Sequence, residues 1–278
     1  MRPYERRTVM EDHGFYVTLP CNASSSVYPE NRISSYTTRL AKAINLKGQW
    51  EVGLAEIEYP RSWYNFNDED GHFILHTAPE PPDSNPSNIG FSIITKLYIS
   101  GGYYANIRAI LRAINQLIAP AAVLNHDELK NKVYLTAKPN ISMSFRGRLA
   151  TILGMTLKPL GGLNYHKEPD FTANVIMYAP HQCDINAGFY TMYVYTDIIQ
   201  YQAVGDSYVP LLRCVHITGK GNDAVIARYD NPHYASISKD HITSIVIELK
   251  DDQNHKVPFS YGKVIVKLHF KPKNISIL

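Results

Sequence analysis

"GQWEVGLAEIEYPRSWYNF", residues 48–66, holds a strand whose facing changes partway along it. Successive side chains of a strand point to opposite sides, so Trp50, Val52 and Leu54 share one face. From Ala55 the phase shifts. Ala55, Ile57 and Tyr59 continue the apolar series from the other side, and Glu56 and Glu58 take the wet positions. A strand that changes faces midway predicts a bulge, or a passage from one packing surface to another. Aromatics crowd around Pro60 in "YPRSWYNF" without a catalytic pattern among them, which points to architecture rather than chemistry.

The segments around it are also strands. "FYVTLP" (15–20) alternates Phe15, Val17 and Leu19 against Tyr16 and Thr18, and Pro20 closes it. "SYTTRL" (35–40) and "HFILHT" (72–77) are short strands, and "APEPPDSNPSN" (78–88) is a proline-rich loop. The middle of the chain changes character. Ile107, Ile110, Leu111, Ile114, Leu117 and Ile118 recur at the spacing of one helical face, with Asn106 as its cap and Pro120 beyond its end. "KVYLTA" (132–137) is a strand, and "RLATILG" (148–154) a short helix stopped by Gly154.

After this α+β block the chain is β again. "GFYTMYVYTDII" (188–199) is apolar on both faces, and "YVPLLRCVHI" (208–217) and "TSIVIELK" (243–250) follow. In "GKVIVKLHF" (262–270), Val264, Val266, Leu268 and Phe270 face in, while Lys263, Lys267, His269 and then Lys271 face out. Short strands with turn signals, split by one insertion, predict a mainly β protein, a β-sandwich such as a jelly roll. The core is predicted to include Trp50, Leu54, Ile245, Ile247, Val264, Val266, Leu268 and Phe270.

Composition narrows the function class. The 278 residues can bury a sizeable core, and 45% hydrophobic with 19% charged residues is ordinary globular composition. Twenty Tyr against nine Phe point to strands and to amphipathic contact surfaces. A net charge of +3 is no nucleic-acid signature by itself. Cys21, Cys183 and Cys214 are widely spaced, which suggests a reducing compartment and neither a disulfide framework nor a zinc site. The opening "MRPYERRTVMEDHG" lacks the apolar region of a signal peptide, and no run approaches a membrane span. The expectation is a soluble chain made inside the cell, with the sequons at Asn22, Asn140 and Asn274 as chance matches.

Enzyme motifs are missing. The Gly pair of "ISGGYY" (99–104) has no Lys-Ser/Thr after it and reads as a turn, and "LKPLGGLNY" (157–165) reads as a loop. "NDEDG" (67–71) lacks the full calcium-loop pattern and reads as a solvated turn, and "DDQNHK" (251–256) as a hairpin turn. The spacing of His166, His181 and His216 does not require them to meet, and no GxSxG elbow marks a nucleophile. The expectation is a non-enzyme with no catalytic residue, cofactor or metal.

Five separated segments carry a family resemblance. They are "VYPENRISSYTTRLAKAINLKGQWEVGLAEIEYPRSWYN" (27–65), "GGYYANIRAILRAIN" (101–115), "FRGRLATILGM" (145–155), "YVYTDIIQYQAVGDSYVPLLRCV" (193–215) and "FSYGKVIVKLHF" (259–270). In this order, and across about residues 14–271, the chain resembles the minor capsid protein, or penton, of Polinton (Maverick) elements and their adintovirus relatives. Thr196 departs from the family, where a Cys is common, and touches packing at most.

The resemblance implies a single jelly-roll β-sandwich, into which the α+β block read above is inserted as a subdomain. Residues 14–95 and 186–278 would form the sandwich, 96–185 the insert, and 1–13 a flexible basic arm. It further implies a homopentamer at the five-fold vertices of an icosahedral capsid, docked to a double jelly-roll major capsid protein in the virion, with no active site and no membrane. Tyr190, Tyr193, Tyr195 and Arg213 are candidate subunit-interface residues, since interfaces favour aromatic and Arg anchors. Trp63 is either a further anchor or a corner filler. The basic arm (Arg2, Arg6, Arg7) and the exposed Lys row could face packaged DNA or neighbouring capsid subunits. Two alternatives remain: a jelly-roll carbohydrate- or receptor-binding module with its site on surface Tyr and Asp/Asn loops, and a cupin-like enzyme with a His/carboxylate metal cluster on inner strands.

Overall fold

A computed structural model of the chain describes residues 14–77, 93–137, 141–155, 171–172 and 176–273. The basic arm, the proline-rich loop, "LKPLGGLNY", His166, Asn140 and Asn274 lie outside the described residues. The chain divides into two compact units, one of residues 1–62 with 189–278 and one of residues 63–188.

The first unit opens with β1 (Phe15–Pro20), β2 (Ser35–Asn45) and β3 (Trp50–Pro60). The second unit holds β4 (His72–Thr77), β5 (Ile93–Tyr98), α1 (Ile107–Ile118), β6 (Ala122–Asp127), β7 (Lys132–Ala137), β8 (Ile141–Phe145), α2 (Gly147–Ile152), β9 (Phe171–Thr172) and β10 (Met177–Tyr178). The first unit then resumes. It adds β11 (Thr191–Thr196), β12 (Gln202–Val204), β13 (Ser207–Val209), β14 (Leu211–His216), β15 (Ala224–Arg228), β16 (Tyr234–Ser236), β17 (His241–Lys250) and β18 (Ile265–Pro272).

Two antiparallel sheets and the β12–β13 hairpin make the first unit. One runs β1-β18-β3-β15, with β16 also on β3, and the other runs β14-β11-β17-β2. The long strands in chain order are β1, β2, β3, β11, β14, β15, β17 and β18. The first sheet takes the first, last, third and sixth of these, and the second takes the fifth, fourth, seventh and second. That interleaving is the double Greek key of a jelly roll. The Tyr36 hydroxyl on β2 donates to the Leu19 carbonyl on β1 at 3.0 Å, a buried bond that ties the two sheets.

The phase shift in β3 is a bulge. Opposite it, Val266 pairs with Ile57, Lys267 with Glu56, and Leu268 with Leu54, so Ala55 is an extra residue with no partner on β18. The bulge returns Ile57 and Tyr59 to the same core face as Val52 and Leu54, and all four are fully buried. The reading that Ile57 and Tyr59 face the other way is thereby corrected. The bulge sits where the other neighbour of β3 changes: β15 pairs with Glu56–Pro60 and β16 with Glu51–Gly53. At the junction the Tyr229 N–H donates to the Ala55 carbonyl at 2.9 Å.

Seven of the eight predicted core residues are fully buried. The exception is Trp50, half-buried at the start of β3, where its indole N–H donates to the Lys47 carbonyl and its ring lies 5.7 Å from Phe15. In β11, Met192, Val194 and Thr196 point into the core and Tyr193 and Tyr195 point out, half-buried. The Thr196 hydroxyl is buried without a hydrogen-bond partner among the described residues.

The second unit has its own core. A sheet of order β5-β4-β8-β9 and a smaller one of order β10-β7-β6 share it with α1, whose Ile107, Ile110, Leu111, Ile114 and Ile118 are buried with Phe73, Leu135 and Phe145. Asn106 caps α1, its side-chain oxygen accepting from Ala109 N–H at 3.0 Å. Asn115 pins the helix to β6, bonding both the N–H and the carbonyl of Leu124. β6 was not read from the sequence.

The boundary differs from the expected one. Residues 63–95, assigned above to the sandwich, belong with the second unit, because β4 pairs with β5 and β8 there. Asn65 also donates to the Ile185 carbonyl at 3.0 Å, and Arg148 Nε donates to the Asn65 carbonyl at 2.6 Å. The acidic "NDEDG" turn works locally: Asp68 accepts from Gly101 N–H at 2.6 Å, and Asp70 accepts from Arg148 N–H at the start of α2. Gly101 fits there because a Cβ would lie 2.4 Å from the Asp68 nitrogen.

Candidate subunit-assembly surface

On the outer face of the β14-β11-β17-β2 sheet, Tyr193 lies between Cys214 and Lys250, and Tyr195 lies next to Glu248. The Lys250 ammonium is 3.0 Å from the Glu248 carboxylate and 5.2 Å from the Tyr195 ring centroid. Burial, and then proximity to Cys214, pushes both phenols up, so both remain neutral donors. Tyr190, just before the strand, is exposed. Three of the five sequence-chosen residues therefore lie on or beside one strand.

The other two lie on other elements. Arg213 is occupied within the sandwich: its guanidinium carbon sits 3.5 Å from the centroid of the Tyr229 ring, which follows β15 in the opposite sheet. One guanidinium nitrogen is buried without a hydrogen-bond partner among the described residues. Burial pushes the Tyr229 phenol up, opposed by the neighbouring Arg213 charge. Trp63 is buried and belongs to the second unit.

The outer face of the β1-β18-β3-β15 sheet carries the Lys row, and the register sets glutamates opposite two of its members. Lys271 pairs with Glu51 at 3.1 Å, and Lys267 lies opposite Glu56, which itself holds Arg228 at 2.8 Å. His269 is enclosed by Tyr16, stacked at 4.5 Å, and by the Tyr234 hydroxyl, 2.7 Å from Nδ1. Burial, with Lys271 close by, holds its pKa below the usual histidine value.

One exposed feature escaped the sequence reading. β12 and β13 form a hairpin whose two-residue turn is Gly205-Asp206, with Gly205 at φ +61°. Tyr201 and Tyr208 stand on it 56% and 70% exposed, with ring centroids 5.9 Å apart. The signal was present as a Gly-Asp pair between short apolar runs, a hairpin pattern.

Chemically reactive groupings are sparse. His181 belongs to the second unit and His216 to the first. Among the described residues, no cluster of three or more His, Cys, Asp or Glu is placed to hold a metal ion, and no helix is long and apolar enough to cross a membrane. Cys183 lies 3.4 Å from His126 Nε2 and 3.2 Å from Asn131 Oδ1, a grouping unseen in the sequence. The thiol is buried, which pushes its pKa up, and an inaccessible protonated thiol is a poor nucleophile.

No protein-family model and no curated protein matches the chain. Among solved structures, it is similar to the selenomethionine-labelled penton protein of mavirus, with a TM-score of 0.50 at 10% identity. The likeness covers 94% of this chain and 99% of that one, so it extends over both units.

Proposed function

We propose that this chain is a penton, the minor capsid subunit that forms pentamers at the five-fold vertices of an icosahedral shell. The observation that carries the reading is the end-to-end likeness to a penton, over a double Greek key interrupted by a second compact unit. Its finer assignment, to Polinton (Maverick) elements or their adintovirus relatives, rests on the five sequence segments. Its partners are then its own copies and a double jelly-roll major capsid protein, and its place is the virion. Five copies close a ring when one face of each subunit meets a different face of the next. Tyr190, Tyr193 and Tyr195, together with the more exposed Tyr208 of the β12–β13 hairpin, are the proposed contact residues. Any contact with packaged DNA is assigned to the basic arm, as Lys271 of the Lys row is taken by Glu51 and Lys267 stands opposite Glu56.

Native mass spectrometry of the purified protein tests this. The expected species has five times the 31.5 kDa chain mass, either alone or on co-expression with a double jelly-roll partner. A protein that stays monomeric at high concentration, and never enters particles built by that partner, would overturn it.

A further inference from the structure

The first unit has a pocket of about 320 Å3 at one edge of its sandwich, between β14, the last strand of its sheet, and β16 in the other sheet. Gln202 of β12, Arg213 and Cys214 of β14, and His233, Tyr234 and Ala235 are among the residues that line it. Arg213 is the unusual member. It stands opposite the fully buried Val194, and side chains directly opposite each other share a face, so the guanidinium lies on the inner side of an edge strand. Arg213 pairs with Val194 and Leu211 with Tyr195, so Leu212 is the extra residue of a bulge. Bulges at sheet edges re-aim side chains. The Tyr229 ring covers one face of the guanidinium from the opposite sheet, which fixes its plane and leaves the in-plane N–H groups as donors. One of these nitrogens is buried without a hydrogen-bond partner among the described residues.

We propose that this pocket is a binding site for one oxyanion, a phosphate or carboxylate group taken in plane by the Arg213 guanidinium. A desolvated cation is costly unless an anion and its hydrogen bonds accompany it. The fold supplies no such anion. No carboxylate lines the pocket, and Arg213 forms no ion pair among the described residues. Burial pushes the Tyr229 phenol and the Cys214 thiol up, against the pull of the Arg213 charge, so both neighbours stay neutral. An inward charge on an edge strand can serve only to keep other strands from pairing there. A guard of that kind reaches water and keeps its nitrogens hydrated, whereas here one is buried and unpartnered. The forked donors of an arginine match the paired oxygens of a carboxylate or phosphate. The pocket is at the small end of the roughly 300–1,000 Å3 of ligand sites, which suits one such group. Two sources carry this chemistry, a free ion and an acidic side chain of a second copy. The inference does not rest on the penton reading, since the pocket is complete within one subunit.

The test compares the full-length parent with Arg213→Met in inorganic phosphate and in acetate, at constant ionic strength set by chloride. Thermal melts and titration calorimetry read binding, and sedimentation velocity reads self-association. For a free ion, the parent should take up one phosphate per chain and its Tm should climb above that of Arg213→Met as phosphate rises. Arg213→Lys, which loses the fork, should bind at least tenfold more weakly. Self-association should then be the same with and without phosphate. For an acidic side chain of a second copy, phosphate and Arg213→Met should each weaken self-association at least tenfold. Should Arg213→Met fail to fold, Arg213→Gln takes its place. The proposal is overturned if parent and variant respond alike to phosphate and acetate and also associate alike. A constant difference in Tm between them, whatever the anion, would leave the stack on Tyr229 as the whole role of Arg213.

Discussion

Deleting Ala55 should be tolerated, although it removes a residue from the middle of a central strand. A one-residue deletion ordinarily flips every following side chain to the wrong face. Here Ala55 is the unpaired residue of the bulge, so its removal leaves Leu54 opposite Leu268, Glu56 opposite Lys267 and Ile57 opposite Val266 in regular alternation. The loss is confined to the bend and to the hydrogen bond from Tyr229, a cost of about 0.5–1.5 kcal/mol for the bond. Deleting Gly53 instead restores the same residue count but moves Leu54 out of the core and puts Ala55 in its place. That resembles a buried Leu→Ala change, which costs about 2–5 kcal/mol. Leu54 would also land where even a Cβ meets Pro232 at 2.7 Å and the His233 carbonyl at 2.9 Å. Against a total stability of about 5–15 kcal/mol, the first variant should melt cooperatively a few degrees below the parent and the second should be largely unfolded. Circular-dichroism melts of the two deletions decide it. Equal damage from both, or greater damage from the Ala55 deletion, would refute the assignment of the extra residue.

Three further outcomes are expected. Val266→Asp should abolish soluble expression, because it buries a carboxylate opposite Ile57, whereas Lys267→Asp on the outer face should shift stability by only about 1 kcal/mol; similar melts would mean the facing of β18 is wrong. Thr196→Val should raise stability by about 1 kcal/mol, since it removes a buried hydroxyl without a partner; a lowered Tm would mean that the hydroxyl is satisfied. The folded pKa of His269 is depressed, so the unfolded state holds more protons between that pKa and about 6.5, and stability should rise as pH rises through this window. His269→Gln should flatten that slope in denaturant titrations at a series of pH values, and an unchanged slope would place the effect elsewhere.

The strands that were legible in the sequence are those with one wet and one dry face. β18 alternates cleanly because its outward Lys267, His269 and Lys271 stand opposite Glu56, Gly53 and Glu51 on the wet face of β3. α1 was legible for the same reason, with a single apolar stripe and an Asn at its cap. β6 was not, because "AVLNHD" alternates weakly and its pairing with β7 is non-local information. The unit boundary was hidden as well. "HFILHT" reads as a strand wherever it pairs, and only its partners β5 and β8 assign it to the second core. Arg213 looked like a free anchor because no local pattern reveals Tyr229 stacking on it from the opposite sheet.

The tyrosines show how composition can suggest a contact surface without locating it. Several of the twenty are already engaged: Tyr36 with the Leu19 carbonyl, Tyr104 with Ser100, and Tyr234 with His269. These amphipathic rings bury a dry body and satisfy a polar tip within the fold, so they add little to any partner. What an aromatic contributes to assembly depends on the apolar area it still has to bury. By that measure Tyr208 on the β12–β13 hairpin, 70% exposed, outranks the half-buried Tyr193 and Tyr195 of the sheet face. Truncating a well-buried interface aromatic costs about 2 kcal/mol or more, roughly a thirtyfold change in association. Tyr208→Ser should therefore weaken self-association in sedimentation velocity by about that factor and leave the subunit melt unchanged, while Tyr193→Thr should weaken it less. The reverse order would place the subunit contact on the sheet face alone and leave the hairpin free for a different partner.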